Sequence, residues 1–385
     1  MEFLLDPEIV YLNHGAFGAC PRVVHDEYQR WQRTLERDPT RFLQRELPGL
    51  LAQARSALAA FVGADAGDLV FVPNPTFAVN EIIRSLDLGP GDEVLTTNHE
   101  YGACRNAWQF SAERRGFDLI EADLDVTFDP DEMVETMLTA VTDRTRVLFV
   151  SHITSSTAIT VPVAEICRRM RGLGVTSIID GAHAPGQIDL DVSAVGADFY
   201  VGACHKWLCA PKGASLLVAR RESQPLLDPL VVGWGWGDRR KIDVGSDFLD
   251  IHEWLGTRDP AAYLAVPAAI DFQLGYDWPD RRAECHRMAV AAVDVTTEIE
   301  GITRVHDDVR FEQMALVELS GPAWDGRGAS VQRQLFDDFD IEVPVTTWAR
   351  SNADPRTFLR VSVQAYNTMR DVERLTAALD ALAAG

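Results

Sequence analysis

Three short segments of the sequence place polar, reactive side chains at the ends of apolar runs or at a predicted helix start. The first is Asp180, which ends the run SIID. The second is Lys206, which follows the run ADFYVGACH and lies between His205 and Trp207. The third is Thr76, in the segment NPTFAVN at the predicted start of a helix. Because ligands of open α/β sheets bind beyond the carboxyl ends of the strands, these segments predict one shared site.

Each segment indicates a different chemistry. A carboxylate that ends a buried strand is costly unless a cation pairs with it. A partly desolvated lysine has a lowered pKa and forms imines with carbonyl compounds, and a helix N-terminus binds anions such as phosphate. Taken singly, the three could be a loop carboxylate, a surface lysine and a bare N-cap. Together they match pyridoxal 5′-phosphate, which needs a phosphate site, a carboxylate at its ring nitrogen and a lysine for a Schiff base.

Strand and helix patterns alternate around these segments. Runs that are nearly continuous in Val, Ile, Leu and Phe are typical of strands buried on both faces. The alternation predicts an α/β fold, with a mostly parallel seven-stranded sheet flanked by helices. The run GASLLVARR at 213–221 follows its predecessor without a helix, which favours an antiparallel strand there. The predicted strands cover residues 68–74, 92–98, 117–123, 146–154, 175–183, 197–205 and 213–221, and the predicted helices cover 76–86, 103–115, 129–141 and 162–173.

The pattern changes after the last of these strands. Residues 222–260 are rich in Gly, Pro, Trp and Asp and predict a long connecting or active-site loop. A long helical stretch from Ala261, a strand near 313–319 and a final helix at 369–382 predict a smaller α+β domain. The predicted divisions are residues 1–20, a segment packing with the small domain, residues 21–260, the large cofactor-binding domain, and residues 261–385, the small C-terminal domain.

Several motifs resemble one enzyme family. The segment IIDGAHAPG, followed by HKWLCAPKG, resembles the class V aminotransferase family of fold-type I pyridoxal-phosphate enzymes. Four further segments are most similar to the isopenicillin N epimerase-like members, whose relatives include fungal C–S lyases of the ergothioneine type. The resemblance spans nearly the whole chain. These four segments are YLNHGAFGACPR at 11–22, NHEYGACRNAW at 98–108, HITSSTAIT at 152–160 and GTRDP at 256–260.

The resemblance implies roles for the residues around the cofactor. Lys206 would form the Schiff base and would later carry the proton of the substrate Cα. Asp180 would pair with the pyridinium nitrogen, and His183 would lie near the cofactor O3′ or that carboxylate. The phosphate would be held by Thr76, the Phe77 amide and His205.

The resemblance also implies how a substrate is bound. Arg360 matches the family arginine that grips an α-carboxylate, a contact that a bidentate guanidinium suits. Tyr101 is expected to stack on the ring or to act at the substrate, with His99 as the competing residue. His14 and Tyr101 are the candidates for a second acid. Thr257 would reach the phosphate of a neighbouring subunit, which implies a homodimer with a shared active site.

The reaction stays open between several outcomes. An amino-acid epimerase or racemase is favoured, and a β-eliminating C–S lyase or an aminotransferase is the alternative. Family desulfurases carry a nucleophilic cysteine shortly before the arginine, but residues 340–360 contain none, which argues against a desulfurase. A catalytically idle cofactor-binding regulator and a plain α/β protein without a cofactor are weaker alternatives.

Composition restricts the partners and the location. The 385 residues carry a net charge of −22, which repels phosphate backbones and anionic lipids, so neither nucleic acid nor a membrane is expected as a partner. No apolar run approaches the ~18 residues that span a bilayer, and no basic region precedes the first apolar stretch. The six cysteines form no CxxC pair and are expected to be reduced thiols, without a metal site, in a cytoplasmic protein.

Overall fold

The computed structural model describes residues 2–350 and 355–384. It contains a seven-stranded sheet, a four-stranded sheet and a two-stranded pair. The strands are β1 (Val10–Tyr11), β2 (Leu69–Val72), β3 (Glu93–Thr97), β4 (Asp118–Ala122), β5 (Thr145–Ser151), β6 (Thr176–Gly181), β7 (Phe199–Ala203), β8 (Ser215–Ala219), β9 (Ile302–Arg304), β10 (Met314–Leu319), β11 (Ile341–Glu342), β12 (Val345–Trp348) and β13 (Arg356–Ser362). The α-helices are α1 (His14–Phe17), α2 (Arg22–Arg37), α3 (Pro39–Arg41), α4 (Leu47–Val62), α5 (Pro75–Ser85), α6 (Gly102–Arg115), α7 (Pro130–Thr139), α8 (Val163–Gly172), α9 (Val192–Val195), α10 (Asp247–Glu253), α11 (Ala261–Leu264), α12 (Val266–Leu274), α13 (Trp278–Thr296), α14 (Gly328–Phe339) and α15 (Met369–Ala384).

The large sheet has the strand order β2-β8-β7-β6-β5-β3-β4. The pairs from β7 to β4 are parallel, whereas β8 runs antiparallel to both β7 and β2. Every residue of β7 and β8 is buried, because helices cover both faces of the sheet. The α/β fold, the mostly parallel seven-stranded sheet and the antiparallel strand at 213–221 are therefore confirmed.

Local signals explain where the helices begin and where the predictions fail. Residues 222–260 are not all loop, because α10 forms there with Ser246 as its N-cap, accepting the amide of Leu249. The long helical stretch after Ala261 is three helices rather than one. Pro267 and Pro279 lie in the first turns of α12 and α13. Proline has no amide N–H, but in the first turn of a helix that N–H would have no partner within the helix, so proline is favoured where a new helix begins. The sequence did not predict α2 and α4.

The C-terminal part builds its own antiparallel sheet, in the order β12-β13-β10-β9. The N-terminal segment runs beside this part of the chain, since β1 pairs with β11 through Val10 and Ile341. A second bridge joins Asn13 to Ser362 at the end of β13. These pairings bring the first residues of the chain next to Arg360, which lies on the same strand as Ser362.

Gly181, the last residue of β6, has no room for a side chain. A Cβ there would collide with the ring and hydroxyl of Tyr200, which is fully buried on β7. We expect Gly181→Ala to destabilise the protein by roughly 1–3 kcal/mol, the usual cost of overpacking a core. Denaturant unfolding followed by circular dichroism measures this. Gly172→Ala, at the end of α8 with open space around it, is the control and should change stability little. Equal midpoints for both variants would contradict the packing described here.

Candidate active site

One cavity of about 520 Å³ lies at the carboxyl ends of β5 and β6, where the sequence predicted the site. Residues of the large sheet, of the first turn of α5 and of β13 form its walls. Its volume falls within the range of small-molecule sites. The sequence-predicted residues that line it are Thr76, Tyr101, Asp180, His183, His205, Lys206 and Arg360.

Lys206 follows β7 and is partly buried in the wall of the cavity. Its Nζ lies 3.0 Å from Nε2 of His183. Burial lowers the pKa of Lys206 to about 8, although the carboxylate of Asp180 opposes part of that shift. More of this lysine is therefore neutral near pH 7 than of an ordinary lysine, and a neutral amine is the form that attacks a carbonyl carbon.

The lowered pKa predicts how protein freed of cofactor captures pyridoxal phosphate. Only the unprotonated amine reacts, so the capture rate should rise with pH with its midpoint near pH 8, where half of Lys206 has lost its proton, and should level off above that. An ordinary lysine would let the rate rise until about pH 10. Stopped-flow absorbance at a series of pH values measures the rate. The sequence holds only two other lysines, so the Lys212→Arg, Lys241→Arg double variant is the control in which Lys206 alone can react. A rate that continues to rise to pH 10 would contradict the assignment.

Asp180 is buried and lacks a cationic partner among the described ion pairs. Its Oδ1 accepts the amide of Ala182 at 3.0 Å, and its Oδ2 accepts the thiol of Cys104 at 3.5 Å. Burial raises the pKa of Asp180, while the amide, Lys206 and the thiol oppose that rise. A buried carboxylate held only by neutral donors is stabilised by a cation placed against it, and a protonated pyridine nitrogen meets that need.

The N-terminus of α5 lies at one end of the cavity, where the sequence predicted an anion site. Thr76 and His205 line it, and the helix dipole favours negative charge there. The amide of Phe77, which the sequence assigned to the phosphate, instead donates to Oδ1 of Asn74 at 2.8 Å. The N-cap side chain thus satisfies that amide locally, and the phosphate-binding role of the Phe77 amide stays a prediction. Burial lowers the pKa of His205 to about 4, so His205 can offer a neutral N–H donor rather than a positive charge.

Arg360 lies in the middle of β13 and is buried. Its guanidinium donates to the carbonyl of Ser155 and, at 3.3 Å, to Oδ1 of Asn13, while its Nε has no partner. Burial lowers the pKa of Arg360 to about 10, which leaves it cationic at neutral pH. A buried guanidinium with an unused donor and no carboxylate partner in the described part of the chain suits an incoming carboxylate.

Two histidines lie behind the cavity rather than in its wall. Both nitrogens of His14 are engaged: Nε2 lies 3.0 Å from the carbonyl of Lys206, and Nδ1 lies 3.1 Å from the hydroxyl of Tyr366. His14 does not line the cavity in this structure, and its substrate-binding role stays a prediction. His99 is also buried, with Nδ1 at 2.9 Å from the hydroxyl of Thr157. Of the pair His99 and Tyr101, the structure brings only Tyr101 to the cavity.

Thr257 lies apart from the cavity that holds Lys206. It lines a second cavity, of about 690 Å³, together with Trp234 and Trp254. In the single chain, therefore, Thr257 is not brought together with the other predicted residues. The prediction that it reaches a neighbouring subunit stays a prediction.

The sequence did not predict a role for three polar residues near Asp180. Cys104 and Ser151 line the cavity, and Ser151 pairs with Asp180 across β5 and β6. Glu100 lies behind them, accepting the hydroxyls of Ser151 at 2.6 Å and Thr97 at 2.7 Å. Burial raises the pKa of Glu100 to about 8, so this second carboxyl is mostly protonated at pH 7. Its place directly before Tyr101 in the chain was the available signal.

Other expectations concerned thiols, metals and membranes. All six cysteines are free. Within residues 2–350 and 355–384, no group of three or more His, Cys, Asp or Glu side chains could hold a metal ion. None of the helices in the same ranges combines the length and the apolar character needed to cross a membrane.

Comparison with known sequences agrees with this arrangement of residues. The sequence model of the class V aminotransferase family matches residues 10–375 of this chain. Isopenicillin N epimerase of Streptomyces clavuligerus is 35% identical over 393 residues, covering 99% of this chain and 96% of that protein. A putative L-cysteine desulfhydrase 1 of Oryza sativa subsp. japonica is 28% identical, covering 98% of this chain and 83% of that protein.

Solved structures share the fold at lower identity. A mutant of C-DES with glycine covalently linked to its PLP cofactor has a TM-score of 0.84 and 21% identity, covering 98% of this chain and 97% of that one. The complex between the cystine C–S lyase C-DES and its product cysteine persulfide also has a TM-score of 0.84, with 22% identity and 98% coverage of both chains. The match to the family, the full-length relatives and the shared fold lead to one conclusion: the chain belongs to the class V aminotransferase family of fold-type I, pyridoxal-phosphate-dependent enzymes.

Proposed function

We propose that this enzyme acts at the Cα of an amino acid and inverts its configuration, as an epimerase or racemase. The observation that carries the proposal is that two groups able to move protons, Lys206 and Tyr101, come from different elements and line the same cavity. Full-length similarity to isopenicillin N epimerase, at 35% identity, supports it further.

Each residue of the cavity would have a separate role in the reaction. Arg360 would bind the α-carboxylate of the substrate and orient its Cα–H bond toward Lys206. Asp180 would hold a proton on the ring nitrogen of the cofactor, which when bound withdraws electrons from Cα. Lys206 would take the Cα proton at its Nζ, and Thr76 and His205 would hold the phosphate end in place.

Inversion requires a second acid that reaches Cα from the side opposite Lys206. Of the two candidates, His14 lies behind Lys206 with both ring nitrogens engaged, whereas Tyr101 lines the cavity and is half exposed. Its position before α6 lets the phenol exchange protons with solvent. We therefore assign Tyr101 as the residue that returns a proton to Cα.

A β-eliminating C–S lyase is the alternative, and an aminotransferase is a weaker one. Both begin with removal of the same proton, so they use the same Lys206, Asp180 and Arg360. The relatives named L-cysteine desulfhydrase, at 28% identity, favour the lyase. A cofactor-binding protein without catalysis would still need Lys206 for the Schiff base, but it would leave the unused donor of Arg360 without a purpose, which counts against it.

Incubation with a panel of L-amino acids in D2O tests the proposal. NMR and chiral chromatography should show deuterium at Cα together with the D-enantiomer. Tyr101→Phe should keep deuterium exchange at Cα and lose inversion, since Lys206 can still return a deuteron to its own side. Formation of pyruvate, ammonia or a thiol without the D-enantiomer would instead establish the lyase, and a 2-oxo acid formed in step with loss of the amine would establish the aminotransferase.

The active site is also proposed to be shared in a homodimer. Thr257 lines the second cavity beside Trp234 and Trp254, and both Trp234 and Trp236 are exposed in the single chain. A partner covering this face could receive Thr257 at its own phosphate site. Light scattering should then give about twice the chain mass of 42.6 kDa. An active enzyme that remains a monomer would refute the shared site.

A further inference from the structure

Trp207, the residue after the reactive lysine, reaches His183 through its indole nitrogen. Nε1 of Trp207 donates to Nδ1 of His183 at 3.2 Å. The other ring nitrogen of His183, Nε2, lies 3.0 Å from Nζ of Lys206. Both contacts involve rings in the interior, since Trp207 is fully buried and His183 is buried. A line of hydrogen bonds thus runs from the indole to the lysine.

The chemistry of the indole decides which nitrogen of His183 carries the proton. An indole N–H only donates, so Nδ1 of His183 must accept. A neutral imidazole has one acceptor and one donor, which makes Nε2 the protonated nitrogen. Burial keeps the pKa of His183 well below its usual value, and the charged or titratable groups facing it, Lys206, Arg360, His205 and His14, lower it further. The ring is therefore neutral.

We propose that Trp207 is a positioning residue, which fixes His183 as the Nε2–H tautomer and so presents a hydrogen-bond donor to Nζ of Lys206. The Nε2–H of His183 can donate to Nζ only while Nζ has a free lone pair. This hydrogen bond therefore disfavours protonation of Nζ. The amine that attacks the cofactor is thereby kept neutral. The catalytic consequence rests on the proposed role of Lys206, but the tautomer itself does not.

The opposite arrangement leaves two donors facing each other. If the Lys206 ammonium donated to Nε2, the proton of His183 would lie on Nδ1, directly against the indole N–H of Trp207. Two buried donors at that distance would both lack an acceptor, which is costly.

Trp207 cannot turn away to relieve such a clash. Its ring packs against Ile153, Ala158 and Met314, and its own carbonyl accepts the side chain of Gln273 at 2.7 Å. The indole N–H is consequently held toward His183.

NMR of the full-length, cofactor-loaded protein tests the tautomer directly. With ¹⁵N-labelled histidine, two-bond proton–nitrogen correlations separate a protonated from an unprotonated ring nitrogen. The protein has nine histidines, and loss of one signal set in His183→Gln identifies His183. We expect a protonated Nε2 and an unprotonated Nδ1. A proton on Nδ1, or on both nitrogens, would overturn the inference and would leave the proposed reaction untouched.

A matched pair of tryptophan substitutions tests the consequence for Lys206. Trp207→Phe keeps an aromatic ring and removes the donor. Trp324→Phe is the control, because Trp324 is equally buried and donates at the same 3.2 Å, but to the carbonyl of Glu300 in the small domain. Both are measured in the Lys212→Arg, Lys241→Arg background, through the pH dependence of cofactor capture.

In Trp207→Phe we expect the midpoint for Lys206 to rise by on the order of one pH unit, the effect of losing one hydrogen bond that only the neutral amine can accept. Trp324→Phe should leave the midpoint unchanged. A folded Trp207→Phe protein with an unchanged midpoint would refute the positioning role. If Trp207→Phe does not fold, the NMR result decides alone.

Discussion

Lys206→Ala is expected to abolish covalent attachment of the cofactor and to lower Cα proton exchange by about 10⁴-fold. The variant removes both the amine that reacts with the aldehyde and the base that takes the Cα proton, so two contributions are lost together. Loss of the Cα–H signal is followed by NMR in D2O, because that signal disappears whether the proton is exchanged for deuterium or the substrate becomes a 2-oxo acid.

The matched control is Lys241→Ala, because Lys241 lines the second cavity and stacks on Trp234, away from Asp180. It should keep full exchange and the visible absorbance of the bound cofactor. Exchange by Lys206→Ala within tenfold of the unsubstituted enzyme would show that another group takes the proton.

Asp180→Asn should have the second largest effect, a loss of roughly 10²- to 10³-fold in Cα exchange, with the cofactor still attached. An amide has nearly the shape of the carboxylate but no charge, so it cannot keep a proton on the ring nitrogen against burial. The remaining contacts of the cavity, at the phosphate end and at Lys206, are unchanged.

Asp189→Asn is the control for that loss, since Asp189 is exposed and lies nine residues further along the chain. Absorbance spectra before and after dialysis check that both variants retain cofactor. An Asp180→Asn enzyme with full exchange activity would remove the carboxylate from the mechanism.

The large sheet was predictable because its signals are local. Strands such as β6 and β7 are continuous apolar runs, and the helices between them carry their own caps, as Asp129 does for α7. Strand ends also locate a site in this class of fold, so Asp180 and Lys206 could be placed together from spacing alone. The strand order and the depth of burial, which determine the pKa of Lys206, appear only in three dimensions.

Residues that depend on distant partners were predicted less well. The ring of His14 is held by Lys206 and Tyr366, which lie 192 and 352 residues further along the chain, so its position behind the lysine had no local signal. The amide of Phe77 shows the opposite case, because its partner is local: Asn74, the N-cap of the helix whose start indicated an anion site, accepts its hydrogen bond. The helix α10 was missed because glycines and aspartates around it resemble a loop.

The hydrogen-bond network around Lys206 also depends on residues that are distant in the sequence. Trp207 and Lys206 are neighbours in sequence, but His183 reaches both of them from the turn after β6. Glu100, from the turn after β3, and Ser151, the last residue of β5, similarly meet near Asp180. Such contacts set protonation states, so the sequence could identify the reacting groups but not how their protons are arranged.

The central claim, that the cofactor is bound through Lys206, can be tested by trapping the linkage chemically. Borohydride reduction of the loaded enzyme makes an imine bond permanent, and mass spectrometry of the resulting peptides locates the added pyridoxyl group. With only Lys206, Lys212 and Lys241 in the sequence, the outcomes are few. We expect the modification on Lys206 alone. Modification of Lys212 or Lys241 with Lys206 unmodified, or none on any lysine of a loaded enzyme, would contradict it.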